Sequence, residues 1–227
     1  MEKHTINRFV ILRILNLFSQ WILGMAILLL SSGTLFYVNA WILGGLYFIS
    51  YVMFGIFLPK EVLNLRSQSK KNLLSYEKIL KPLMFISGYT TYIIAGIDNR
   101  FSWTHNIPWY MLAIAIFIFI LGISILLWSM CVNPFFDQGV KTDENHPIIA
   151  RGPYQVVRHP GYLGMITYLL VVPIILGSIY AMIPTVINVL LIMIRTNKED
   201  AYLTKHQKGY QAYKKVVVNK LFGQIKR

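Results

Sequence analysis

The chain has 227 residues, of which 56% are hydrophobic, and a mean hydropathy of +0.53. That is too oily for a water-soluble globular domain and too short for several large ones, so the composition predicts an all-α, polytopic integral membrane protein, a single membrane domain over 1–227. A net charge of +13 raises the question of nucleic acid, which the placement of the charges answers below, and the lone Cys131 excludes an intrachain disulfide and a cysteine-based metal site.

A helix that crosses a bilayer needs roughly 20 mostly apolar residues. The first such run extends from Ile14 to Phe36 and the second from Asn39 to Leu58, with the break at Ser31-Ser32-Gly33 or nearer Asn39. Positive charge precedes the first run as in a signal peptide, but a second span follows at once without a cleavage pattern, so the first reads as uncleaved. A basic loop over Pro59–Ser75 leads to a third run, Leu80 to Ile97. The next connection, through Asp98, Arg100, Phe101, Trp103 and His105 to Pro108, mixes charge and aromatics as interfacial anchors do. A fourth run, Trp109 to Cys131, is closed by Asn133-Pro-Phe-Phe-Asp137.

The apolar block from Tyr162 to Ile194 contains Pro173, Gly177-Ser178 and Pro184, which predict two helices and a tight turn in place of one long helix. The total is about six membrane helices, the last two a hairpin. Beyond Ile194 the last helix continues out of the bilayer, and past Gly209 a short amphipathic tail with Tyr210, Tyr213, Lys214 and Lys215 is suited to the membrane surface. No internal repeat or low-complexity tract is visible.

With six spans and a cytoplasmic N-terminus, all of the 22 basic residues except Arg100 fall on the inner side. The positive-inside rule then sets the orientation, with both termini cytoplasmic in a multi-pass cell-membrane protein. The same charges suit an anionic leaflet and membrane lipids as partners, with no nucleic acid.

Chemistry concentrates in Arg151-Gly-Pro-Tyr154-Gln-Val-Val-Arg158-His159-Pro160-Gly161-Tyr162-Leu-Gly164 and in Arg195 with Glu199. Ionisable groups beside spanning helices are costly and tend to mark ligand paths. Pro160 starts a helix whose first amides suit an anionic group. Arg195 and Glu199, four apart, project from one helix face. Taken singly, each feature has a plain alternative: a surface ion pair, a capping histidine, interfacial tyrosines. No pattern of metal ligands is present.

Jointly, the order His146, Gly152-x-Tyr154, Arg158-His159-Pro160-x-Tyr162-x-Gly164, an apolar hairpin, Arg195-x-x-x-Glu199 and Gly209-Tyr210-x-x-Tyr213 resembles the isoprenylcysteine carboxyl methyltransferase family and, more broadly, the membrane phospholipid methyltransferases. The resemblance covers about the last hundred residues, so 1–108 reads as N-terminal helices and 109–227 as the catalytic core. Asp98, Arg100, Phe101 and Trp103, and Asn133 with Phe135-Phe136, look like bacterial members. The resemblance implies a methyltransferase that uses S-adenosylmethionine, reached from the cytosol, on a lipophilic or lipid-modified acceptor. It implies further that His146, Ile148, Ile149, Tyr154, His159, Pro160 and Tyr162 line the cofactor site, that Glu199 holds the cofactor's amino group, and that Arg195 faces the acceptor as the catalytic residue.

The chemistry agrees with that division. A zwitterionic methionyl end needs an anion for its ammonium and amides or an imidazole for its carboxylate, and adenine stacks on a phenol. Two departures stand out: Asp200 replaces the second glutamate common in the family, and the glutamine expected seven residues before His146 falls on Gly139, beside Gln138. The acceptor stays open between an isoprenoid, a lipid amine, a thiol and a small carboxylic acid. A rival class, the steroid-reductase-like membrane reductases with a nicotinamide cofactor, typically has Asn and an acid where this chain has Gly161 and Met165. A non-enzymatic scaffold or transporter would leave the two polar clusters unexplained, and no duplicated half points to transport.

Overall fold

A computed structural model describes residues 8–58, 74–105, 107–133, 135–136 and 147–222, with backbone alone for 8–14. His146, Gln138 and Gly139 lie outside the described residues, as do Lys60, Arg66, Lys70 and Lys71 of the basic loop. Among the described residues every regular element is helical. In chain order these are α1 (Arg8–Ser32), α2 (Val38–Phe57), α3 (Ser75–Phe101), α4 (Trp109–Val132), a 3-10 turn (Gly152–Gln155), α5 (Pro160–Leu176), α6 (Met182–His206) and α7 (Tyr210–Val216).

By length and composition α1, α2 and α4 can cross a membrane, through Leu15–Ser32, Val38–Phe57 and Trp109–Val132, while α5 is a shorter apolar helix. Several apolar helices of this kind make a multi-pass membrane protein. The distribution of side chains says the same, because Phe36, Leu30, Trp109 and Phe117 face outward while Glu77, Asp98, Arg158, Arg195 and Asp200 are buried. Oil outside and charge inside is stable only where the surroundings are lipid.

Breakers act where expected. Between α1 and α2 lie residues 33–37, and Gly33 takes a positive φ of 69° there. Gly177, at φ 75°, ends α5 and lets Ser178 N–H reach the Pro173 carbonyl at 2.9 Å. Left-handed backbone at a helix end favours a residue without Cβ. Pro184 falls in the first turn of α6, where its missing N–H costs little.

Helices α4 and α5 meet backbone to backbone. A Cβ built on Gly122 would come within 2.6 Å of the Tyr168 nitrogen, and one on Gly164 within 2.6 Å of the Gly122 carbonyl oxygen. Small residues at the crossing permit this approach, the usual route to tight packing where hydrophobicity cannot drive association. It seats the start of α5, and with it Tyr162, firmly beside α4.

At the end of the molecule away from the Arg158 motif, Asp98 ties α3 to the α5–α6 turn. It accepts from Thr104 N–H at 2.7 Å, Thr104 Oγ1 at 2.6 Å and Ser178 Oγ at 2.5 Å. Phe101 and Trp103 nearby stack and stay exposed, as interfacial anchors would. The loop thus holds an anchor and, in Asp98, a buried structural knot.

Candidate functional site

The polar motif folds as one entry to α5. Gly152, at φ 57°, starts the 3-10 turn. Tyr154 is buried there, its hydroxyl donating to the Ser129 carbonyl and accepting from Asn133 Nδ2, each at 3.3 Å. Arg158 and His159 lie in the irregular backbone just before α5, their amides donating to the carbonyls of Asn219 (2.9 Å) and Lys220 (3.1 Å). The C-terminal segment therefore folds back across the start of α5. Pro160 is the first helical residue, and no side chain caps that helix end. The first α-helical bond runs from Leu163 N–H to the His159 carbonyl, so the Gly161 and Tyr162 amides precede the ladder.

Two polar clusters flank this entry, one on each of two consecutive residues of α6. Asp200 is the hub of the first. It accepts from Arg158 Nε at 2.9 Å and Nη2 at 3.3 Å, from the Tyr210 hydroxyl at 2.9 Å and from Lys214 Nζ at 3.3 Å, with His159 Nε2 at 3.2 Å. Arg158 Nη1 adds bonds to the Val217 and Val218 carbonyls at 2.8 and 2.6 Å. Burial opposes the Asp200 charge, but the hydrogen bonds from His159, Arg158 and Tyr210 outweigh it and hold the carboxyl well below the ordinary carboxylate range. Burial, and then Asp200 itself, pushes the Tyr210 phenol upward. Asp200 thus staples the tail to the body of the protein.

The second cluster runs through Glu199, Tyr162, Arg195 and Glu77. The Tyr162 hydroxyl donates to Glu199 Oε2 at 2.5 Å, and the Arg195 guanidinium lies over the Tyr162 ring, 5.3 Å from its centroid. Arg195 also donates from Nη2 and Nε to Glu77 Oε1, at 2.8 and 3.2 Å, while Lys81 Nζ stands 3.1 Å from Glu77 Oε2. Arg195 is only 6% exposed and Glu77 fully buried. The surface ion pair that spacing alone allows for Arg195 is replaced by a buried pair with another helix.

The motif residues thus divide. Tyr162, Arg195 and Glu199 are brought together. His159 belongs with Asp200, and Tyr154 with the end of α4. Ile148 packs with Leu203, Tyr210, Tyr213 and Val217, and Ile149 is half-buried in the same irregular approach to the 3-10 turn. Sequence reasoning passed over Glu77 and Tyr76, in the first turn of α3, which lie ahead of the apolar run that starts at Leu80. The available signal was Glu77-x-x-x-Lys81, an acid one helical turn before a base at the edge of a span.

Apolar helices that gather Arg195, Glu77 and Glu199 around one phenol make a multi-pass membrane protein with a candidate site at that end. Residues 113–205 match the isoprenylcysteine carboxyl methyltransferase (ICMT) family, whose members are S-adenosylmethionine-dependent carboxyl methyltransferases. The chain carries an ICMT-family domain over those residues, and it is a methyltransferase that uses S-adenosylmethionine. The match takes in Tyr154, Arg158, His159, Tyr162, Arg195, Glu199 and Asp200 but neither Glu77 nor Tyr210. It also decides against the reductase alternative. Among curated proteins no match was found.

Proposed function

We propose that the chain transfers the methyl group of S-adenosylmethionine to the carboxylate of an isoprenoid-type lipophilic acceptor that enters from the bilayer. One observation carries this reading: Tyr162 touches both Glu199 through its hydroxyl and Arg195 through its ring face. The residue suited to the cofactor's ammonium and the residue suited to an acceptor carboxylate therefore share one side chain, so donor and acceptor would meet beside it.

The residues fit the cofactor chemically. Glu199 offers an anion to the ammonium, the uncapped start of α5 offers amides to the carboxylate, and the tyrosines offer faces to adenine. His146, Ile148, Ile149, Tyr154, His159 and Pro160 complete the proposed cofactor side. Held there, S-adenosylmethionine would supply a methyl group already activated on sulfur, which a carboxylate oxygen could take while the electron pair of the carbon–sulfur bond is left on sulfur, with no proton to move. Alignment and exclusion of water thus matter more than a base.

The guanidinium favours a carboxylate over an amine, because its planar fork offers two donors to a pair of carboxylate oxygens and repels an ammonium. In our reading about six segments span the membrane, with α5 and α6 as the final hairpin, both termini cytoplasmic and the amphipathic tail on the inner surface. A reporter fused to the C-terminus is expected to be active on the cytoplasmic side only, and activity confined to the outer side would put the cofactor site on the wrong face.

Calorimetric titration tests the cofactor side. The wild-type protein is expected to bind S-adenosylmethionine and not a reduced nicotinamide cofactor. Glu199→Gln removes one charge-assisted contact and is expected to weaken that binding by roughly 1.5–3 kcal/mol, with the fold intact. Unchanged affinity in the folded variant would strike Glu199 from the site.

A further inference from the structure

We propose that the first turn of α3, which lies outside the ICMT-matched region, completes the acceptor side of the site: Glu77 is a positioning residue that fixes the Arg195 guanidinium, and the Tyr76 hydroxyl is a second donor to the acceptor carboxylate. The inference rests on the acceptor role proposed for Arg195 and assigns that role a support from a helix 118 residues away in sequence.

Glu77 has the geometry of a positioning residue. Its Oε1 receives both Nε and Nη2 of Arg195, which sets the plane of the guanidinium as well as its place, and the Tyr162 ring bounds that plane on one face. An arginine loses its advantage over lysine unless the fork is oriented in this way. Lys81 Nζ, on the same helix, stands 3.1 Å from the other carboxylate oxygen, an ion-pair contact without a hydrogen bond, so the Arg195 contacts are what fix Glu77.

Tyr76 adds an independent observation. Its hydroxyl is buried and has no hydrogen-bond partner among the described residues. A buried hydroxyl left unpaired is uncommon in a native fold and calls for an explanation. The group belongs to this cluster, because Tyr76 immediately precedes Glu77 in the first turn of α3 and the charges of Glu199, Glu77 and Arg195 act on its hydroxyl. Burial first, and then Glu199, raises its pKa, so it stays a donor at neutral pH. A buried donor next in sequence to the residue that fixes the guanidinium suits a carboxylate with two oxygens.

The test uses the full-length protein in lipid nanodiscs, radiolabelled S-adenosylmethionine and N-acetyl-S-farnesyl-L-cysteine as the probe acceptor. Tyr76→Phe deletes only the unpaired hydroxyl. A purely structural tyrosine would make this variant as stable as wild type or more so, with unchanged kinetics. Our expectation is unchanged melting and cofactor affinity with at least about a fivefold loss in kcat/KM for the probe. Glu77→Gln is expected to lose about tenfold or more in kcat at near-normal cofactor affinity, and Glu77→Asp to recover part of that loss. Should Glu77→Gln fold poorly, Glu77→Asp keeps the buried charge and shortens its reach to Arg195; normal melting with kcat below wild type supports the positioning role, and wild-type kcat overturns it.

Wild-type kinetics in Tyr76→Phe and in folded Glu77→Gln, alongside an impaired Arg195→Lys, would overturn this inference and leave the proposed function standing. Wild-type kinetics in Arg195→Lys as well, or no transfer to the probe by the wild-type protein, would overturn the acceptor reading on which it rests.

Discussion

Arg195→Lys is expected to bind S-adenosylmethionine almost normally while methyl transfer to an isoprenylated carboxylate falls by an order of magnitude or more. The substitution keeps a positive charge opposite Glu77, so the buried pair is not reduced to one uncompensated ion. It removes the planar fork. In the wild-type protein Glu77 and the face of Tyr162 orient that fork, and a lysine ammonium at the same place is a point charge on a flexible stem. A carboxylate held by one contact samples many angles, and in-line displacement tolerates few; misplacement of about 1 Å can cost on the order of a hundredfold in rate. Initial rates with radiolabelled cofactor, set against calorimetric affinity for the cofactor, separate the two effects. Normal turnover would remove Arg195 from the acceptor side and leave the cofactor assignment untouched.

Asp200→Ala is expected to destabilise the protein by about 3–5 kcal/mol and to free the C-terminal segment. The Arg158 and Asp200 side chains are both almost fully shielded, so the variant leaves a guanidinium buried without its counter-ion. It also takes the acceptor from Tyr210 and Lys214, which hold α7 together with the Tyr213 hydroxyl on the Tyr154 carbonyl. Hydrogen exchange over Tyr210–Leu221 and thermal unfolding in detergent are the measurements. Faster exchange there, with α1 and α2 unaffected, is the expected pattern; unchanged exchange and melting would show that backbone pairing of 158–159 with 219–220 suffices.

The pH dependence has a definite sign. Because the folded carboxyl titrates below its unfolded value, its stabilising effect is complete above the ordinary aspartate range, about pH 4. It is lost as the pH falls through the lower folded value. The contribution of Asp200 to tail docking is therefore expected to be flat from neutral pH down to about pH 5.

The tail staple gives a physical meaning to the departure at position 200. The shorter aspartate reaches Arg158, His159 and Tyr210 together, and Glu199, one residue earlier on α6, is turned toward Tyr162. Two adjacent acids on a helix diverge by about 100°, which is why one serves the fold and the other the proposed cofactor side.

Much of this was legible in the residues by themselves. Runs such as Val38–Phe57 and Trp109–Val132 are helices because bilayer-length apolar stretches must satisfy their own backbone hydrogen bonds. Gly177 and Pro184 broke the last apolar block where φ and a missing N–H require it. The ordered motif from Gly152 to Glu199 named the methyltransferase class because its residue types must follow one another in that sequence. Tertiary structure alone decided which charges meet. Periodicity assigns Arg195 to a helix face but is silent on what another helix brings to that face, and Glu77 reads locally as one more charge at the end of a basic loop. The same holds for Asp200, whose partners come from the entry to α5 and from the tail. These pairings depend on how closely helices approach, which is set by Gly122 against Gly164 and by packing across the bundle. Local sequence determines the elements and their ends; only the packed fold brings buried charges within hydrogen-bonding distance, because each is tolerable in a membrane protein only where a counter-charge or hydrogen-bond donors from elsewhere in the chain satisfy it.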